Sequence, residues 1–280
     1  MIQFVETDFS SVDDSALEAA TRSGLVTRDL RGLDELQEAV RLVRSVNGGS
    51  LLAPVDLLQT LSQSGNYVGG AWRGASLVGA AFGFLGNERG AVYLRSHLIS
   101  VGRGDQGAGV GLALKLHQRA WALSRGIHEI TWTYDPLARR NAWFNLAKLR
   151  ARATAYYPNF HGPMTDEVNN GDESDRCLVR WDLDQPFSLG QPHRNPPADT
   201  SVALISSAAH TPIVHDRPMD GRRIMCQIPE DVVAWRRRDP GLARDWRVAL
   251  RHTMGSAIAA GYSATSMTRD GWYLLERAAL

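Results

Sequence analysis

The run Arg103 to Gly111, RGDQGAGVG, constrains the fold more than any other stretch of the chain. It follows the apolar segment AVYLRSHLISV and opens the helically periodic segment VGLALKLHQRAWALSRG. An extended segment that passes through glycines into a helix aims free backbone N–H groups and the positive helix end at one point, which suits a ligand carrying phosphates. The spacing is neither GxGxxG nor a Walker A loop, since no Gly-Lys-Ser/Thr follows, so dinucleotide and P-loop nucleotide sites are excluded. What remains is a strand–loop–helix unit for some other phosphate-bearing cofactor.

Elements on both sides extend the reading. Gly126 ends the helix and HEITWTYDP reads as the next strand, giving a crossover whose two strands run parallel. Upstream, LDELQEAVRLVRSVNG places Leu33, Leu36, Ala39, Val40 and Val43 at helical spacing with a stop at Asn47-Gly48, and a second helix runs from Pro54 to Ser62. Between them and the loop, three extended segments divide at Arg73-Gly74 and Gly86-Asn87. Strict alternation along the third puts Tyr93, Arg95, His97 and Ile99 on one face, unless a bulge intervenes. The first residues suggest a short strand at Ile2–Val5 and a short helix near Ala16–Ala20.

Gln106, Gly109 and Gly111 match the Q/R-x-x-G-x-G/A signature of the GNAT acyltransferase superfamily, which the chain resembles from about Val26 to Leu183. The resemblance implies an α+β fold, with a mixed central sheet flanked by helices. It also implies acetyl-CoA or another acyl-CoA as co-substrate, held by Gln106, Gly107, Ala108, Gly109, Val110 and Gly111, with Ile99 and Val101 beside the pantetheine arm. The acceptor is then an amine of a small molecule or peptide. His97 has the intrinsic pKa of a general base, and Tyr134, at a strand's carboxyl end, is the nominal acid.

One departure stands out. The helix around Arg139 to Ala151 carries, in many members, a tyrosine that serves as general acid, and aligning Lys148-Leu149 with the family pattern puts Leu146 there. Leucine donates no proton. Tyr134, Tyr156, Tyr157 or solvent must then protonate the leaving thiolate, or the chain is a catalytically weak acyl-CoA-binding or regulatory protein. Asn141 and Asn145, four apart on a helix, are further candidates for cofactor or substrate contacts. Asp135 can bear chemistry or cap that helix, and Asp175-Arg176 reads as a surface ion pair.

Charge and cysteine content narrow the partners. A formal net charge of +1 over 280 residues gives no footprint for nucleic acid. The basic run Arg236 to Arg238 reads as a solvated helix face. Cys177 and Cys226 lack CxxC spacing and sit in strand-like apolar surroundings, as buried thiols would. His210 and His215 have no third ligand nearby, so no metal is expected. No segment reads as a leader or a membrane span, which points to a cytoplasmic chain without a membrane partner, and a homodimer is compatible.

The polar, proline-rich stretch 184–200 divides residues 1–183 from a C-terminal α+β unit at 201–280. In that unit RRIMCQIPE, VVAWRRR, a longer helix and a hairpin at Arg269-Asp270-Gly271 repeat the order strand, helix, helix, hairpin. This order suggests a degenerate half of the same fold, without a cofactor loop.

Overall fold

A computed structural model describes residues 14–46, 54–164, 166, 169–189, 200–215 and 221–277. The strand expected at Ile2–Val5, the Asn47-Gly48 stop and residues 190–199 of the linker lie outside these. The chain forms two compact units, 1–131 with 182–187, and 132–181 with 188–280. Residues 132–181 therefore group with the C-terminal part, a different partition from a cut at 183.

The first unit contains α1 (Asp14–Arg22), β1 (Val26–Asp29), α2 (Gly32–Val46), α3 (Val55–Gln63), β2 (Val68–Arg73), β3 (Ser76–Glu88), β4 (Ala91–Val101), α4 (Val110–Leu123) and the start of β5 (Glu129–Tyr134). The strands lie in the order β1-β2-β3-β4-β5. Pairing is antiparallel as far as β4, which meets β5 in parallel at Leu94↔Ile130 and Arg95↔Thr131. The crossover through α4 accounts for that change of direction.

One sheet face packs on α2 and α3, where Leu36, Ala39, Val43 and Leu58 bury against Val68, Ala80 and Phe82. α4 covers the other face. Gly79 must lack a side chain there, because a Cβ would come 2.6 Å from Val110 Cγ1. The β3–β4 turn falls at Arg89 and Gly90, both with positive φ, three residues later than expected at Gly86. Asn87 Oδ1 accepts from Gly90 N–H (3.1 Å) and closes the turn, which lets the ladder run on to Glu88↔Ala91.

The second unit holds the end of β5, α5 (Arg139–Ala142) continuing into a π-helical turn (Trp143–Lys148), β6 (Arg152–Tyr157), β7 (Arg176–Asp182), β8 (Thr200–Ser206), β9 (Pro212–Val214), β10 (Arg223–Gln227), α6 (Val232–Arg238), α7 (Pro240–Leu250), a second π-helical turn (Arg251–Gly255), α8 (Ser256–Ala259), β11 (Tyr262–Met267) and β12 (Trp272–Arg277). Its strands lie in the order β5-β7-β6-β11-β12-β10-β8-β9.

The order strand, helix, helix, hairpin recurs from β10 to β12, but the strand pairing does not show a half-repeat. In the first unit β1 pairs with β2, the first strand of its hairpin. In the second, β10 pairs with β12, the second strand of its hairpin, while β11 pairs with β6. The hairpin is thus inserted the other way round, and order along the chain cannot reveal that.

Two charged segments differ from expectation for one reason, burial in this unit. Arg236 is 2 % exposed, joined to Asp135 (2.5 Å) and Asp172 (2.9 Å), so the arginine run is not wholly solvated. Asp175 is fully buried, accepting from Tyr156 Oη (2.7 Å), Asn159 N–H (2.9 Å) and Arg251, so it is no surface group. Among the described residues, no helix is long and apolar enough to cross a membrane.

Candidate functional site

The loop after β4 is built by short backbone bonds. Gly102 N–H donates to Val78 O (2.9 Å), Asp105 N–H to Gly102 O (2.9 Å) and Ala108 N–H to Asp105 O (3.2 Å), with Arg103–Asp105 forming a single 3-10 turn. Arg73 pairs with Asp105 and ties the turn to β2. Gly107 and Gly109 take φ of 88° and 85°, a region L-residues enter only at a cost, so both need glycine.

Gly109 caps α4 without any side chain, and the first intrahelical bond is Ala113 N–H to Gly109 O. The amides of Val110, Gly111 and Leu112 are therefore outside the helix ladder and point from its positive end. Space next to Gly111 is open, with no atom within 4 Å of a Cβ placed there. Gln106, Gly107 and Ala108 are exposed. This arrangement fits an anionic phosphate group approached from solvent. Ser23 is an addition that sequence reading missed: its side chain abuts the position a Gly109 Cβ would occupy.

β4 leads to this loop with an irregularity at His97. Phe82 pairs with Leu98 and Gly83 with Ser96, so His97 is an extra residue opposite no partner, a β-bulge. The bulge overturns the expected alternation. Ser96 lies under α4, whereas beyond the bulge Ile99 and Val101 pair with Ala81 and Gly79 and face α4 in their turn. Tyr93 and Arg95 consequently do not share a face with Ile99. The exposed His97 ring lies 6.0 Å from both Phe82 and Phe84, towards the α2–α3 side. Partial desolvation, then the nearby Arg95 charge, lower its pKa below 6.5, which leaves a neutral imidazole at neutral pH.

The remaining predicted residues belong to the second unit. Tyr134, 5 % exposed, shares a hydrogen bond with Tyr273 Oη (3.1 Å), and burial raises its pKa well above 10.0, so it stays protonated. Asn145 is buried and its Oδ1 accepts from Trp132 Nε1 (3.2 Å), whereas Asn141 is exposed. One amide is thus open to solvent and the other taken up inside the unit, so the two do not act together on one ligand. Leu146, in the place of the tyrosine, is buried too. In the first unit, His117 bonds through Nδ1 to Tyr67 Oη (2.9 Å).

A buried lysine also escaped notice. Lys115 Nζ donates to Ser96 Oγ (3.0 Å), which donates to Gln118 Oε1 (3.0 Å), and burial lowers the lysine pKa well below 10.5. Its position in an apolar arc of α4 was the available signal.

No protein-family model matches the chain, and no curated protein matches it. Solved structures similar to it include GNAT-family acetyltransferases. One from Streptococcus pneumoniae is 12% identical with TM-score 0.43, covering 56% of this chain and 98% of its own. The ribosomal-protein-S18-alanine N-acetyltransferase from Escherichia coli is 12% identical with TM-score 0.46, covering 62% and 99%. A putative acetyltransferase from Salmonella typhimurium, solved with its cofactor acetyl-CoA, is 14% identical with TM-score 0.45, covering 62% and 99%.

Proposed function

We propose that the chain transfers an acyl group, acetyl first among candidates, from acyl-CoA to an amine of a small molecule or peptide. The observation that carries this reading is the donor cradle at Gly107 to Leu112, set at the end of a bulged strand. The amides of Val110, Gly111 and Leu112 would hold the pyrophosphate, and Ile99 and Val101 would flank the pantetheine arm. When bound, acyl-CoA supplies the acyl group as a thioester. From Val101 back to His97 is about 13 Å along an extended strand, which separates the anchoring end of the site from a base.

In this reading His97 accepts a proton from the acceptor's ammonium, so that the free amine attacks the thioester carbonyl. Backbone amides of β4 polarise that carbonyl, and the departing thiolate takes a proton from solvent or a tyrosine. Tyr134 retains its proton for such a role, yet its hydroxyl is engaged by Tyr273. In this reading the catalytic groups lie within residues 1–183, and residues 201–280 are an accessory unit on whose packing residues 132–181 depend.

Calorimetric titration with coenzyme A and acetyl-CoA, followed by thiol release across an amine panel, tests it. Saturable binding lost in Gly111→Trp, with turnover on at least one amine, is expected. No binding of either compound would overturn the cofactor assignment. The buried Leu146 favours a second reading, an acyl-CoA-binding regulator, for which binding would persist without turnover on any amine.

A further inference from the structure

A cavity of about 530 Å³ lies in the first unit between α1, β1 and the C-terminal half of α4. Its walls are apolar at Ala16, Leu17, Ala20, Leu25, Ala120 and Trp121. Asp29 reaches it from β1. Asp29 pairs with Gly69, whose missing side chain leaves room on the α4 side for Tyr67 Oη and His117 Nδ1. Asp29 Oδ1 is shielded from solvent and has no hydrogen-bond partner among the described residues. The described residues thus give this oxygen no donor, which leaves the Asp29 carboxylate at the cavity wall uncompensated and attractive to a cation in the cavity.

The rim carries the opposite sign. Arg31 and Arg125 line the cavity, and Arg125 lies 4.0 Å over the Trp121 ring. Arg28 also lines it, but its charge is taken up by Glu35 at 2.7 Å. A bare amine would meet Asp29 favourably and the two rim arginines unfavourably. An ammonium and a carboxylate on one small molecule satisfy both, and an apolar substituent suits the walls.

We propose that this cavity is a binding site for a free α-amino acid with an apolar side chain, its ammonium on Asp29 and its carboxylate towards Arg31 and Arg125. It is separate from the proposed acyl-transfer site. β1 stands three strand spacings, about 14 Å, from β4, and the cavity lies on the α4 side whereas His97 lies on the other. The inference therefore does not depend on acyl transfer.

Calorimetry of the full chain with L-leucine, L-methionine and L-phenylalanine tests it, with 2-phenylethylamine and N-acetyl-L-phenylalanine as probes lacking one charge each. At least one amino acid is expected to bind saturably at one site. Asp29→Asn should weaken it at least tenfold, and 2-phenylethylamine and N-acetyl-L-phenylalanine should bind at least tenfold more weakly than phenylalanine. Ala120→Trp, which fills the cavity from the α4 wall and keeps Asp29 itself, should abolish binding while thermal melting shows an intact fold, and it serves if Asp29→Asn does not fold. Absence of saturable binding by all three amino acids would overturn the proposal. Unchanged affinity in a folded Asp29→Asn protein, unchanged affinity in Ala120→Trp, or 2-phenylethylamine binding as tightly as phenylalanine, would each do the same.

Discussion

Gly109 answers to two constraints at once, a φ of 85° and the Ser23 side chain, which fills the place a Cβ would take. Gly109→Ala should therefore lower stability by about 1–2 kcal/mol from the dihedral alone and weaken coenzyme A binding at least tenfold. Adding Ser23→Ala should return only the part due to contact, and a melt of Gly109→Ala coincident with wild type would contradict the loop conformation. The glycine pattern was legible in sequence because backbone geometry dictates residue type there, whereas Ser23 was not, because the contact joins distant residues. His97 offers a pH test. Its pKa lies below 6.5, so kcat/KM for amine acylation should rise with pH along a limb centred below 6.5 and be level by pH 7.5, and His97→Gln should lose that limb. The cysteines were legible from their apolar strands. Both are fully buried, and burial pushes the Cys226 thiol up to about 12, so iodoacetamide at pH 8 should label neither in the native protein and both in urea.

At the scale of elements, what the sequence conveys best is where a segment starts and stops. Pro54 caps α3, Gly271 with φ of 98° turns the β11–β12 hairpin, and the strand–loop–helix order around α4 is as read. What it hides is an inserted residue inside an element. The bulge at His97 and the widened turn from Trp143 to Lys148 are each set by what packs against them, and period counting on one strand or helix assumes no insertion. α4 shows a related limit: Lys115, Gln118 and Arg119 are buried in a helix whose outer face would ordinarily take them. Arg119 is held by the carbonyls of Leu183 (2.9 Å) and Gln185 (3.1 Å), and Lys115 by Ser96. A lysine whose folded pKa is lowered loses protons before the unfolded chain does. Stability should then rise with pH between the lowered value and 10.5, with slope at most about 1.4 kcal/mol per pH unit, and level off above. Denaturant titrations from pH 7 to 10.5 should show this slope in wild type and its absence in Lys115→Met. Equal slopes would mean that Lys115 is not the titrating group.

For the whole molecule, the instructive residues are those that bind residues 132–181 to the C-terminal part within the second unit. Arg247 spans Asp135 (3.3 Å) and Asp172 (2.8 Å), and Arg236 joins the same two carboxylates. Burial alone would raise the Asp135 pKa, but the Arg247 and Arg236 charges outweigh it and hold the carboxyl below 3.8. Its stabilising contribution is present above the usual carboxylate range and is lost as pH falls through that lowered value. Arg247→Met, which leaves two buried carboxylates to share Arg236 alone, should cost about 3–5 kcal/mol in urea unfolding. A composition-based cut at 184–200 could not anticipate this, because a proline-rich stretch marks where chain is unpacked and says nothing of which side later segments pack on. A chain ending at Leu183 would keep Tyr134, Asp135, Asp172, Asp175 and β6 while losing Tyr273, Arg236, Arg247, Arg251 and β11, their partners. That truncated chain should show no cooperative melt and no coenzyme A binding. A fragment of residues 1–183 that melts cooperatively and binds coenzyme A would instead establish an autonomous first domain, and the buried ion network would then be dispensable to it.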